Sequence, residues 1–195
     1  HYFDTFKEFN EEFKLGKNDL LVTNEFIYEP YVKPLGIETN VIFQEKFGQG
    51  EPSDEMIDNM KKEMDKLSEK VKELEKMDKF SFDRIVAFGG GTIVDICKIL
   101  ALDVPPQSYK LFTGEVPPKK IKKLVVIPTT CGTGSEVTNV AISELKPLNT
   151  KKGIAVEETY ADEAVLIPEP VTGLPFKFFV TSSIDALIHA IESFL

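Results

Sequence analysis

Arg84-Ile85-Val86-Ala87-Phe88-Gly89-Gly90-Gly91-Thr92-Ile93-Val94-Asp95 begins as an uninterrupted apolar run, breaks on three glycines and resumes in a helical rhythm. The run has no polar alternation, which is the pattern of a strand covered on both faces. Glycines directly after such a strand let the backbone approach a ligand closely. The free N–H groups and dipole of the following helix attract an anion, and a pyrophosphate suits that place. Asp95 falls in the first turn of this helix, where its charge is stabilised. It is also able to accept hydrogen bonds from a ribose or an amide. The motif is neither G-x-G-x-x-G nor a Walker loop, so a tight glycine turn without a ligand stands beside the phosphate reading.

The same texture extends outward. Residues 20–23, 41–43 and 124–127 are further strand-like runs, and helical spacing separates them: Phe6, Phe9 and Phe13, then Ile57, Met60, Met64, Leu67, Val71 and Leu74. Repeated strand–helix–strand order predicts an α/β fold with a Rossmann-like parallel sheet flanked by helices. Ser53 is a good N-cap for the second helix, with Asp54 and Glu55 in its positive first turn. A coiled coil is the alternative for this helix, but several more heptads would be needed. Its Lys and Glu residues, such as Glu69 with Lys72, read as a solvated face. Beyond residue 123 come three short strand-like runs, 140–142, 153–156 and 164–167. Pro168, Pro170 and Pro175 then punctuate a linker, and a helical pattern runs from about Ser182 to Leu195. That apolar helix without a terminal cap is read as the first helix of a second, truncated domain, giving a division at 1–178 and 179–195.

Composition removes several function classes. Of 195 residues, 42% are hydrophobic and 28% charged, an ordinary globular mixture. The net charge of −9 repels phosphate backbones and acidic lipid, so neither nucleic acid nor a membrane is an expected partner. No apolar run approaches the roughly 18 residues of a membrane span. His1-Tyr2-Phe3-Asp4 carries no signal-peptide pattern; it also lacks an initiator Met, so the chain is read as trimmed or starting late. Cys97 and Cys131 are the only cysteines; a disulfide scaffold is excluded and a reducing cytoplasm is the simplest location. His1 and His189 are the only histidines, so a metal site built from several imidazoles cannot be completed inside this chain.

Two more motifs carry chemistry. Pro128-Thr129-Thr130-Cys131-Gly132-Thr133-Gly134-Ser135-Glu136 again follows a strand, and its hydroxyls and glycines offer donors to phosphate or ribose oxygens. Ser135 lacks the G-x-S-x-G setting of a hydrolase nucleophile. A Cys131 nucleophile would need His189 as its base. A polar turn with buried hydroxyls is the alternative. In Ser182-Ser183-Ile184-Asp185-Ala186-Leu187-Ile188-His189, Asp185 and His189 stand four apart on one helix face. A carboxylate and an imidazole so placed are able to share a divalent metal. Ser182 and Asp185 also have capping-box spacing, which would leave His189 a core histidine.

Together and in this order, the three motifs resemble the iron-containing, metal-activated alcohol dehydrogenase family over nearly the whole chain. Residues 24–30 and 49–55 resemble its 4-hydroxybutyrate dehydrogenase branch. The resemblance implies an N-terminal domain that binds NAD(H) and an all-helical domain that holds a divalent metal, Fe2+ first and Zn2+ second. It implies that Gly90, Gly91, Thr92 and Asp95 take the pyrophosphate and nearby groups, and that Thr129, Thr130, Thr133 and Ser135 line the cofactor cleft. Lys151 matches a lysine near the nicotinamide ribose, and Asp185 and His189 match the first two metal ligands, the others being histidines further downstream. It singles out no catalytic side chain. Many relatives carry Asp where this chain has Asn24, at the adenosine ribose; a neutral amide repels a 2′-phosphate less, which loosens the preference for NAD over NADP. The implied activity is hydride transfer between NAD(H) and a primary alcohol or aldehyde, in the form of 4-hydroxybutyrate and succinic semialdehyde, by a homo-oligomer when full-length. The fragment alone is expected to be inactive. Alternatives are another alcohol or polyol dehydrogenase of the family and a non-catalytic nucleotide-binding module.

Overall fold

The four apolar runs form four neighbouring strands of one sheet in a computed structural model that describes all 195 residues. β1 (Asp19–Thr23), β2 (Asn40–Phe43), β3 (Arg84–Gly89), β4 (Lys123–Pro128) and the two-residue strand Glu163–Ala164 lie in the order β2-β1-β3-β4 with Glu163–Ala164 outermost. Every pairing is parallel. Leu20, Val22, Ile85, Ala87, Leu124 and Val126 project to one side, where they pack with Ile57, Met60, Ile93 and Cys97. Leu21, Val86, Phe88, Val125 and Ile127 project to the other, against Phe6, Phe9 and Ile27. Both faces are buried, which is why these strands read as continuous apolar runs.

The helices follow from their apolar stripes. α1 (Phe6–Phe13) begins at Thr5, whose hydroxyl accepts from the Glu8 N–H, and Phe6 stacks on Phe88 with centroids 4.8 Å apart. α2 (Glu25–Tyr31) follows β1 after a single residue and contains Pro30, a helix that periodicity does not reveal because it spans only two turns. α3 (Asp54–Leu74) starts where expected, its Ser53 hydroxyl accepting from the Met56 N–H at 3.2 Å. Burying Ile57, Met60 and Met64 contributes about 1.5–3 kcal/mol each, whereas the Glu69–Lys72 pair, at 3.0 Å on the surface, contributes a few tenths. Packing on the sheet therefore fixes α3, and no coiled coil is needed. α4 (Gly91–Leu100) runs from the glycine turn into the core, and α5 (Tyr109–Thr113) is a short helix before β4.

Beyond β4 the architecture changes as the sequence texture does. β5 (Val140–Leu145) and β6 (Thr150–Ala155) form an antiparallel hairpin outside the main sheet. Glu163–Ala164, numbered β7, pairs with Val125 and Val126. The proline-rich linker holds α6 (Glu169–Thr172). α7 (Phe176–Phe194) begins at Pro175, several residues before the expected Ser182. Ser182 is thus interior, its hydroxyl donating back to the Phe178 carbonyl at 2.9 Å, and the capping-box alternative fails. α7 buries none of its residues. No helix is long and apolar enough to cross a membrane.

Candidate dinucleotide cleft and metal pair

The sheet's order reverses about β1, with β2 on one side and β3 on the other. In open parallel sheets, ligands bind beyond the carboxyl ends of the strands at such a switch point. Asn24 follows β1, Glu45 lies just past β2, Gly90 follows β3 and the threonine-rich segment follows β4, so all reach the same edge. Thr23, the last residue of β1, is fully buried and its hydroxyl has no partner.

Gly90 caps α4 at φ −77°, and neither it nor Gly91 has a positive φ. A Cβ on Gly90 would meet nothing nearer than Thr130 Oγ1 at 3.8 Å, and one on Gly91 nothing nearer than Thr133 Cγ2 at 3.9 Å. The fold itself therefore demands glycine at neither position. A Cβ at either position would make ordinary van der Waals contact with the threonine loop, and without one the turn's N–H groups stay uncovered. Gly89 differs: a Cβ there would lie 2.4 Å from Ile93 Cδ1. The N–H groups of Gly90, Gly91, Thr92 and Ile93 find no acceptor in the chain, and α4 has no side-chain cap. The turn thus offers unpaired donors at a positive helix end, beside a gap lined with hydroxyls.

Other side chains brace this gap. The Asp95 carboxylate accepts from the Ser135 hydroxyl at 2.8 Å and from the Ile142 N–H at 3.1 Å, joining α4 to the threonine loop and to β5. The buried Lys98 ammonium donates to Ser135 Oγ at 2.9 Å and to the Val140 carbonyl at 2.7 Å, and lies 3.8 Å from Asp95. Burial pushes its pKa down, against the opposing pull of Asp95 and Glu136. Ser135, itself buried, is thus engaged inside the protein, while Thr130 is half-buried and Thr133 exposed. Thr129 is buried, and its N–H donates to Gly89 O at 3.1 Å. Thr92 Oγ1 donates to Gly50 O at 3.0 Å, and Lys151, exposed on β6, forms an ion pair with the adjoining Glu51. The segment at residues 50–51 thereby spans from the glycine turn to Lys151.

The threonine loop also touches α7. Gly132 has φ +117°, and a Cβ on it would lie 2.6 Å from the Ser182 carbonyl oxygen and 3.2 Å from Asp185 Oδ2. Glycine is required there by both backbone angle and contact. Thr130, Cys131, Gly132, Leu166 and Ala186 help line a cavity of about 380 Å³ beside it. The Cys131 sulfur approaches Ser182 Oγ at 3.3 Å. His189 Nε2 stands 3.6 Å from Asp185 Oδ1, with both side chains about half exposed. A carboxylate and an imidazole suit a divalent cation, but no third His, Cys, Asp or Glu joins them.

Residues 3–168 match the sequence pattern described as iron-containing alcohol dehydrogenase. The chain belongs to that family. It is 52% identical over 193 residues to the 4-hydroxybutyrate dehydrogenase of Clostridium kluyveri, covering 99% of this chain and 48% of that protein. The chain therefore spans less than half the length of this relative. Among solved structures, an iron-containing alcohol dehydrogenase superposes with a TM-score of 0.72 at 25% identity, covering 98% of this chain and 52% of the other. Sulfoacetaldehyde reductase from Bifidobacterium kashiwanohense, solved with NAD+, gives a TM-score of 0.68 at 21% identity, covering 92% and 46%; at that identity the likeness shows the fold.

In this member of the iron-containing alcohol dehydrogenase family, Asn24, Gly90, Gly91, Thr92, Thr129, Thr130 and Thr133 lie past the carboxyl ends of the strands, whereas Lys151 lies on the separate β5–β6 hairpin and Asp185 and His189 on α7. Asn24 stands one strand away from the glycine turn and turns toward Glu45. Sequence reasoning missed Lys98, Glu45 and Thr23, and read Gly132 only as one glycine of the threonine-rich motif. Lys98 had a signal, a lysine three residues after Asp95 in an otherwise apolar helix. The bond between positions 24 and 45 had none.

Proposed function

We propose that this chain is the NAD(H)-binding part of a metal-activated alcohol dehydrogenase that interconverts 4-hydroxybutyrate and succinic semialdehyde. The observation that carries the reading is the pair Gly90 and Gly91, which neither backbone angles nor packing require. Carrying no side chains, they leave the unpaired N–H groups of the turn uncovered, where a diphosphate is recognised. In this reading Thr129, Thr130 and Thr133 border the dinucleotide and Ser135 fixes Asp95 behind it. Lys151 gives up Glu51 to reach the nicotinamide ribose. Asp185 and His189 hold a divalent cation, iron before zinc, with further ligands supplied by a helical domain that α7 begins and whose packing covers the exposed face of α7. A cation held there would supply acidification of a bound hydroxyl, and a nicotinamide bound in the cleft would supply a hydride acceptor. Gly132 seats the threonine loop against Asp185, fixing the loop relative to that carboxylate. The similarity to the Clostridium kluyveri enzyme supports the substrate. With only two metal ligands, the 195-residue chain alone is expected to bind NADH and to turn over nothing.

Fluorescence titration of the chain with NADH tests the reading, together with Gly90→Val, whose side chain would cover the N–H groups of the turn. The variant is expected to fold and to bind at least about tenfold more weakly, through loss of charge-assisted hydrogen bonds. Equal binding by both proteins would overturn the proposal.

A further inference from the structure

β1 and β2 end side by side, with Thr23 paired to Phe43. Immediately beyond them, Asn24 Nδ2 donates to Glu45 Oε2 at 2.9 Å and the Glu25 N–H donates to Glu45 Oε1 at 2.7 Å. Both carboxylate oxygens of Glu45 are thereby fixed at the mouth of the switch point. Asn24 occupies the N-cap of α2 yet makes no side-chain cap bond; its amide turns to Glu45 instead. An aspartate at position 24 would set two carboxylates against each other, each disfavouring the other's charge. The neutral amide removes that conflict and supplies a donor. Lys46, the nearest cation in sequence, sits over the Phe43 ring at 4.7 Å from its centroid.

Resting on the dinucleotide reading, we propose that Glu45, held by Asn24, is the carboxylate that receives the adenosine ribose and excludes a 2′-phosphate. The glycine turn lies on β3, two strand spacings or about 10 Å from β2, within the reach of a nucleoside from its diphosphate. A carboxylate at this edge of the sheet, within a nucleoside's reach of the glycine turn, is placed to take the ribose 2′-hydroxyl of NAD, and its charge opposes the extra phosphate of NADP. Asn24 thus marks a carboxylate moved to position 45 rather than one lost.

The test is the ratio of NADPH to NADH dissociation constants for the 195-residue chain, Glu45→Gln and Glu45→Asp. Glutamine keeps an oxygen for the Glu25 N–H but loses the charge; its ratio should fall at least about fivefold, while aspartate keeps the NADH preference. In the unsubstituted chain the preference should narrow as salt rises from about 0.02 M to about 0.5 M, because screening weakens the repulsion. Equal weakening of both nucleotides in Glu45→Gln would make Glu45 a mere prop for α2 and overturn the inference. So would tight NADPH binding by the unsubstituted chain, or a preference indifferent to salt. Failure of the unsubstituted chain to bind either nucleotide would instead overturn the dinucleotide reading, and this inference with it.

Discussion

Lys98 shows how a single buried residue organises the cleft. Its ammonium is wholly enclosed and bridges α4 to Ser135 and to the Val140 carbonyl, while Asp95 fixes Ser135 from the other side. An enclosed charge is tolerated only when its donors are used. Lys98→Ala would leave Asp95 and Ser135 facing an emptied site, at a cost of about 3–5 kcal/mol; Lys98→Met, which keeps the volume, should cost less. The sign of the pH dependence follows from burial. The folded-state pKa of Lys98 lies below its ordinary value of 10.5. Between those two values the unfolded chain binds more protons than the folded one, so this residue adds stability as pH rises through that window. Lys98→Met lacks the effect. Urea midpoints at about pH 7 and about pH 10 should show the gap between the unsubstituted chain and Lys98→Met widening in favour of the former. A constant gap would mean that Lys98 titrates alike in both states.

At the scale of elements, Gly132 joins two pieces that are otherwise nearly independent. α7 buries none of its own residues, and it passes so close to Gly132 that a Cβ there would lie 2.6 Å from the Ser182 carbonyl oxygen. Gly132→Ala combines a backbone angle unfavourable to alanine with a backbone clash, and is expected to lift α7 from the loop while the sheet stays intact. Hydrogen exchange reads this directly: amides at residues 182–190 should exchange faster and those of β3 and β4 should not. Unchanged exchange in α7 would show that the helix is held by something other than this contact. Elements of this kind divide what the sequence reveals from what it conceals. Strands β1 to β4 and helix α3 were legible because burial imposes a period on the side chains, two-sided on the sheet and three-to-four on the helix. The start of α7 was not, since its exposed Phe176, Phe178 and Phe179 follow no buried stripe and Ser182 imitates a cap. The glycine turn, the threonine loop and the Asp185–His189 pair were legible because each is local. The Asn24–Glu45 bond and the Lys98 bridge join residues 21 and 37 positions apart, a proximity that only the strand order creates.

For the whole molecule, net charge and apolar surface oppose one another. The charge of −9 keeps copies apart, yet α7 exposes Phe176, Ile184, Leu187, Ile188, Ile191 and Phe194 along its length. A run of that size is larger than scattered surface residues account for and calls for a covering surface. Because the core on both faces of the sheet is complete without α7, this helix contributes little to the cooperative unit. Deleting residues 174–195 should therefore leave a folded domain whose melting temperature falls by no more than about 4 °C, the shift expected for roughly 1 kcal/mol at this size. The same deletion should remove most of the fluorescence of a hydrophobic dye bound to the intact chain. These two readouts separate the contributions: a large loss of melting temperature would place α7 within the core's cooperativity, whereas unchanged dye fluorescence would place the chain's exposed apolar surface elsewhere on the domain.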